Sequence, residues 1–211
     1  MNSAIFNLAA PGVRAIAPYQ PGKPIEEFER ELGIRHAVKL ASNENPLGPS
    51  PMALAAVRVA LDGVALYPDG NGFLLKRKLS AKLNVPVEGI TLGNGSSDIL
   101  DFAVRAFVTA ENDVAFSEHA FAIYPILIRV AGARVVIVPA KRWGNDLAAL
   151  RQAIGPKTRL VFIANPNNPT GTWLTRAELE EFLRALPSHV VTVIDEAYFE
   201  YASHPPMGAR D

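Results

Sequence analysis

At residues 160–171 the chain reads LVFIANPNNPTG, an unbroken apolar run that ends in a polar loop with two prolines and a glycine. A second stretch, VVTVIDEAY at residues 190–198, repeats this arrangement with a carboxylate and a phenol after the apolar run. Short runs that are wholly apolar are typical of strands buried on both faces of a parallel sheet. The two stretches therefore predict strands at 160–164 and 190–194, whose ends bring an amide, a carboxylate and a phenol side by side.

The same alternation of apolar runs and amphipathic segments extends toward the amino terminus. It predicts strands at 90–92, 114–116 and 135–138, and helices at 97–108, 124–131, 146–154 and 175–186. The last helix opens with a capping box formed by Thr175 and Glu178. Strands that alternate with helices predict an α/β fold: a mainly parallel sheet with helices on both faces.

The first part of the chain is punctuated by proline and glycine and has no regular alternation. Residues 1–35 are interpreted as an extended N-terminal arm with one short helix at 26–32. Residues 36–211 are interpreted as the main domain, which begins with a brief strand at 38–41. Ser50 and Pro51 then predict the start of a helix that runs to about residue 61.

Composition excludes several classes of function. The chain has 211 residues, 21 basic and 21 acidic side chains, and no cysteine. Zero net charge gives no support for a nucleic-acid partner, and the absence of cysteine excludes disulfides, thiolate metal sites and thiol catalysis. We predict no metal site. The first 19 residues lack a basic segment followed by a long apolar core, so we expect neither a signal peptide nor a membrane span.

In parallel sheets ligands bind beyond the carboxyl ends of the strands. Four segments of this chain are predicted to meet at that edge. They are residues 93–97, 117–121, 165–171 and 195–198. All the motifs whose side chains could carry chemistry fall in these four segments. This agreement predicts one ligand site at that edge.

The loop GNGSSD at 93–98 joins a predicted strand to a helix. Gly95 allows close backbone approach, Ser96 and Ser97 add hydroxyl donors, and a helix start attracts a phosphate. The alternative is plain helix capping by Ser97 or Asp98. The glycine spacing is not that of a dinucleotide-binding loop.

Asp195 ends a buried strand, where a carboxylate is costly unless it is paired. A pyridinium N–H is a fitting partner, since the carboxylate would keep the ring protonated and able to accept electrons. An acid that binds a metal or serves phosphate transfer is an equal alternative at this position. Tyr198 could reach a phenolic oxygen on the same ring, or it could be a core tyrosine.

Two further side chains are candidates for ligand contact. Asn168 is the amide of the 165–171 loop that we expect to face a ligand oxygen, whereas local turn bonding explains part of the loop. Phe121 could stack on a flat cofactor, although most phenylalanines belong to the core. His119 lies nearby, and a lone histidine is more often a surface or capping residue than a base.

These residues resemble those of fold-type I pyridoxal phosphate aminotransferases, and most closely the histidinol-phosphate aminotransferases. The resemblance covers the chain from about Arg14 onward. It rests on YQPGKP at 19–24, KLASNENPLGPSP at 39–51, LYPDG at 66–70, the 93–98 loop, AFAIY at 120–124, NPNNPTG at 165–171 and DEAY at 195–198. NPTG and DEAY are shared by many aminotransferases, whereas the SNENPLGPS run is much more selective.

The resemblance implies a set of contacts to pyridoxal 5′-phosphate. Asp195 would pair with the pyridine nitrogen, Asn168 and Tyr198 would contact the phenolic oxygen, and Phe121 would stack where many members have tyrosine. The cofactor phosphate would lie against Gly95, Ser96 and Ser97.

The resemblance also implies a homodimer, a cytoplasmic location and small amino-acid and keto substrates. Tyr67 would reach the phosphate bound by the neighbouring subunit, and Tyr19 and Asn43 would lie near the substrate. The implied reaction moves an amino group from glutamate to imidazole acetol phosphate in histidine biosynthesis.

The chain departs from this family in one respect. Family members continue through a Ser-Lys motif, whose lysine forms a Schiff base with the cofactor, and then a small domain. None of the seven lysines of this chain is expected in a loop that follows a strand at the site, so we identify no catalytic residue. The chain is thus interpreted as an incomplete large domain, truncated before that lysine and inactive alone. The alternatives are part of a broader aromatic transaminase, part of a phosphothreonine decarboxylase-like enzyme, and a non-catalytic cofactor-binding chain.

Overall fold

The computed structural model describes residues 4–17 and 22–202, which form two compact units. One unit combines Met1–Ala17 with Leu74–Asp211, and the other is Pro18–Phe73. The helices are α1 Ala4–Leu8, α2 Pro11–Arg14, α3 Ile25–Leu32, α4 Pro51–Ala60, α5 Phe73–Leu83, α6 Gly95–Phe107, α7 Ile123–Val130, α8 Leu147–Ala153 and α9 Arg176–Arg184. The strands are β1 Asp113–Ser117, β2 Arg134–Val138, β3 Thr158–Ala164 and β4 Val191–Asp195.

The four strands form one parallel sheet in the order β2-β1-β3-β4. Helices α7, α8 and α9 provide the connections between successive strands. The predicted capping box is present at α9, where the Thr175 hydroxyl accepts the Glu178 N–H and the Glu178 carboxylate accepts the Thr175 N–H. The predicted α/β architecture is confirmed.

Successive residues of β3 point to opposite faces of the sheet, and both faces are buried. Leu160 and Phe162 pack with residues of α6 and α7, including Leu100 and Ile128. On the other face, Val161 and Ile163 pack with Leu150 of α8 and with Leu179 and Phe182 of α9. Burial on both faces explains why this strand is an unbroken apolar run in the sequence.

The strand order reverses beside β1. From β1 the chain moves outward to β2 and then returns to the opposite side of β1 to form β3. Loops that leave β1 and β3 in opposite directions open a crevice at the carboxyl edge of the sheet. The segments that follow β1 and β3 contain two of the predicted site residues, Phe121 and Asn168.

Two predicted strands are wrong. Residues 38–41 and 90–92 lie in the described part of the chain without strand structure. A strand needs a neighbour to satisfy its backbone N–H and C=O groups, and neither segment pairs with a described strand.

The helix predicted from residue 97 begins two residues earlier, at Gly95. Helix α4 does begin with Pro51 in its first turn, but the Ser50 side chain makes no capping bond.

The unit Pro18–Phe73 buries little of its apolar surface by itself. Helix α4 has no buried residue, and Met52 and Val59 are 84% and 80% exposed. In the whole described part of the chain, no helix has both the length and the apolar content that crossing a membrane requires.

Candidate functional site

A cavity of about 50 Å³ lies at the carboxyl edge of the sheet, where three of the strand-end loops meet the start of α6. Its lining comes from segments that are far apart in sequence: Ser96, Phe121, Ala164, Pro166, Asn168, Asp195, Ala197 and Tyr198. Five of the eight residues predicted to bind a cofactor line this one cavity: Ser96, Phe121, Asn168, Asp195 and Tyr198.

The start of α6 supplies the serine side of the cavity. Gly95 has a φ of +74°, and no atom lies within 4 Å of where a Cβ would stand. Ser96 and Ser97 are half-buried in the first turn, where backbone N–H groups have no partner within the helix. The Asp98 carboxylate accepts the Asn94 N–H at 2.8 Å, so this acid stabilises the loop. Neither Ser97 nor Asp98 starts the helix, because its N-cap is Asn94.

Asp195 is the last residue of β4, and only 9% of its surface is exposed. One carboxylate oxygen, Oδ2, accepts the Tyr124 hydroxyl at 2.8 Å. The other, Oδ1, accepts the Ala197 N–H at 3.3 Å, which is a long contact. The carboxylate therefore has a protein partner, as a buried charge requires, and it still lines the cavity.

Tyr124 is the residue that sequence reasoning missed. It lies in the first turn of α7 and is completely buried. Its ring stacks on Phe162 with centroids 4.5 Å apart, and it meets Phe121 edge-on at 6.0 Å. Burial, and then the charge of Asp195 and the hydrogen bond to it, raise the pKa of Tyr124 well above its usual range, so the phenol stays a donor. No local sequence signal indicated this contact, because Tyr124 and Asp195 are 71 positions apart in the chain.

The 165–171 loop is held by two of its three asparagines. Asn165 is fully buried, and its side chain accepts the Leu174 N–H at 2.7 Å and donates to the Leu174 carbonyl at 3.1 Å. Asn167 donates to the His119 carbonyl and to Thr170 Oγ1, each at 2.7 Å. Asn168 makes no side-chain hydrogen bond within the described residues, and it is half-buried in the cavity lining.

His119 and Lys141 lie beyond the cavity lining. The imidazole of His119 stacks on Trp143 with ring centroids 4.9 Å apart. Lys141 follows a strand at the carboxyl edge, three residues after β2. It lines a separate open cavity of about 680 Å³ together with Trp173 and Phe182. Among the described residues, no lysine lines the cavity that contains Asp195.

Glu196 brings a second acid to the end of β4. Burial, then the charges of Asp195 and Glu200, raise the pKa of Glu196 to about 7. Its Oε1 atom is buried and has no hydrogen-bond partner among the described residues. This carboxyl group is therefore held near the midpoint of its titration at neutral pH.

No cluster of three or more residues suited to a metal ion occurs within the ranges that the structure describes.

Three predicted residues belong to other parts of the chain. Tyr67 and Asn43 lie in the unit Pro18–Phe73, where the Tyr67 side chain is 99% exposed and Asn43 has a φ of +52°. Tyr19 lies outside the described residues. The contacts predicted for these three residues stay predictions.

Comparison with known proteins gives one consistent family. The family model for aminotransferase class I and II matches residues 35–210. Histidinol-phosphate aminotransferase 1 of Nitrosococcus oceani is 59% identical over 201 residues, which are 95% of this chain and 54% of that protein. Histidinol-phosphate aminotransferase 2 of Methylococcus capsulatus is 56% identical and covers 96% and 56% of the two chains. The chain thus spans about half the length of the curated relatives it matches.

Solved structures give the same result. The histidinol-phosphate aminotransferase from Sinorhizobium meliloti, determined in complex with pyridoxal-5′-phosphate, aligns with a TM-score of 0.83 at 32% identity. The alignment covers 93% of this chain and 53% of that one. The aspartate aminotransferase from Rhizobium meliloti, at 18% identity and a TM-score of 0.72, shares the fold.

Proposed function

The chain belongs to the aminotransferase class I and II family, and on that premise we propose that it binds pyridoxal 5′-phosphate at the cavity beside Asp195. We further propose that it provides this site to a histidinol-phosphate transaminase, which moves an amino group between glutamate and imidazole acetol phosphate. One observation carries the proposal. Five residues selected from sequence for their chemistry, drawn from four separate segments, line the same cavity.

The donors and acceptors of the cavity fit this cofactor. A buried carboxylate matches a ring nitrogen that carries a proton, and Phe121 offers a flat apolar surface. Ser96 and Ser97, at the start of a 13-residue helix, match a phosphate group. The open space at Gly95 lets a ligand approach the backbone.

Each residue then has a defined task. Asp195 accepts the ring N–H and keeps that nitrogen protonated. When bound, pyridoxal 5′-phosphate would supply a protonated ring able to accept electrons. Asn168 and Tyr198 hold the phenolic oxygen, Phe121 orients the ring by stacking, and Gly95, Ser96 and Ser97 bind the phosphate.

The chain alone binds the cofactor without a covalent bond and does not carry out amino transfer. The placement of the lysines supports this part of the proposal, since none lines the cavity among the described residues. A lysine that attacks the cofactor and moves a proton must lie within hydrogen-bond reach of the reacting atoms. After borohydride treatment, mass spectrometry should therefore find no more cofactor attached to the chain than background modification of its lysines produces.

A homodimer and a cytoplasmic location complete the proposal. The exposed apolar residues of α4 and the fully exposed ring of Tyr67 favour contact with a second copy of the chain. Tyr67 would contact the cofactor phosphate of that copy, and Tyr19 and Asn43 would contact the substrate. Sedimentation velocity of the full chain tests the dimer, and a monomer at all concentrations would contradict it.

Equilibrium binding of pyridoxal 5′-phosphate to the full chain tests the proposed site. Asp195→Asn should weaken binding roughly 10- to 100-fold, because it removes a hydrogen bond to a charged group. Asp62→Asn is the matched control, since Asp62 is an exposed acid of the other unit. Equal losses in both variants, or an unchanged Asp195→Asn variant, would refute the site.

A further inference from the structure

We propose that Tyr124 is a positioning residue: its hydroxyl fixes the Asp195 carboxylate so that this carboxylate presents one oxygen to the ring nitrogen of the cofactor. This inference rests on the proposed function and deepens it. Tyr124 does not line the cavity. It acts through Asp195, which does.

The division of the two carboxylate oxygens carries the inference. Oδ2 receives a hydrogen bond of 2.8 Å from the Tyr124 hydroxyl, whereas Oδ1 has only the long 3.3 Å contact with the Ala197 N–H. A carboxylate oxygen has room for two hydrogen bonds. The phenol thus engages one oxygen firmly, and the other keeps the capacity to accept an N–H from a ligand.

The tyrosine ring is itself held on three sides. Phe162 stacks on one face at a centroid distance of 4.5 Å and an interplanar angle of 14°. Phe116 and Phe121 meet it nearly perpendicularly, with centroids 5.9 and 6.0 Å away. A fully buried ring with these contacts has little rotational freedom. The hydroxyl is therefore a fixed donor, and the orientation of Asp195 follows from it.

The same frame links the two cofactor contacts. Phe121, proposed to stack on the cofactor ring, packs against the tyrosine that holds Asp195. Tyr124 thereby sets the position of the acid relative to the stacking surface. A purely structural tyrosine would affect stability alone, whereas a positioning tyrosine affects the recognition of the ring nitrogen.

The test compares two ligands: pyridoxal 5′-phosphate and its carbocyclic analogue, in which C–H replaces the ring nitrogen. The full chain should bind the nitrogen-containing ligand more tightly than the analogue. Tyr124→Phe keeps the ring stacking and removes only the hydroxyl, so it should reduce this preference roughly 10-fold. Affinity for the analogue should change less than 2-fold. Tyr201→Phe is the matched control, because Tyr201 is 74% exposed.

Thermal unfolding of the ligand-free variants separates folding from recognition. If Tyr124→Phe does not fold, Phe162→Leu provides a second test, since it loosens the stack without touching the hydroxyl and should lower the preference partly. A folded Tyr124→Phe, or else a folded Phe162→Leu, that retains the full preference would overturn the inference. Failure of the unmodified chain to bind pyridoxal 5′-phosphate would instead overturn the proposed function, and the inference with it.

Discussion

Replacement by alanine should lower the stability of the fold at Asn165, whereas at Asn168 it should weaken ligand binding. Asn165 is fully buried and pairs with both backbone groups of Leu174, at 2.7 and 3.1 Å. Asn165→Ala leaves an N–H and a carbonyl without partners, and each such loss costs about 1–3 kcal/mol. Because Leu174 is half-buried, water can recover part of that cost. We therefore expect the free energy of unfolding to fall by about 2–3 kcal/mol.

Asn168→Ala is the matched control for this loss of stability. Asn168 makes no side-chain hydrogen bond within the described residues, so its removal should change the free energy of unfolding by less than about 0.5 kcal/mol. It should instead weaken the binding of pyridoxal 5′-phosphate. Urea unfolding, followed by far-UV circular dichroism and tryptophan fluorescence, measures the first quantity. Equal stability of the two variants would show that the asparagine bonds do not hold this loop.

Two further predictions concern acids. The folded pKa of Glu196, about 7, is above the ordinary value of 4.5, so the folded state binds the proton more tightly than the unfolded state. The free energy of unfolding should therefore fall as the pH rises from 4.5 to 7, by about 1–2 kcal/mol after allowance for partial solvent exposure. Glu196→Gln should remove this pH dependence when stability is measured by urea unfolding at each pH. Asp113 is 5% exposed and its pKa is lowered, first by its hydrogen bond with Arg134. Arg134→Ala should cost about 1–3 kcal/mol at pH 7, and less once Asp113 is protonated at acid pH; an equal cost at both pH values would exclude the ion pair as the cause.

Local sequence patterns predicted the strands and helices that pack in the buried core. The apolar run at 160–164 predicted β3, and the Thr175–Glu178 pattern predicted the start of α9. Residues 38–41 and 90–92 have the same local preference but no strand, because strand formation depends on a neighbour that the local sequence does not specify. The helix start at Gly95 was missed because an αL glycine can precede or follow a helix boundary.

The sequence alone determined which chemical groups stand at the ends of β3, β4 and the loop before α6. The residue order fixes which side chains follow each apolar run, and the parallel topology brings those strand ends to one edge. The sequence also identified Asn168 as the amide expected to contact a ligand, since a loop of three asparagines needs only some of them for its own turns.

The tertiary structure was needed to identify the partner of Asp195. Tyr124 lies 71 positions away in the chain, and nothing local distinguishes it from an ordinary core tyrosine. Its hydroxyl reaches the carboxylate because α7 packs over β3 and stacks the ring on Phe162. Hydrogen bonds between distant side chains depend on how helices and strands pack, and packing is a property of the whole assembled core, whereas periodicity and capping are properties of neighbouring residues.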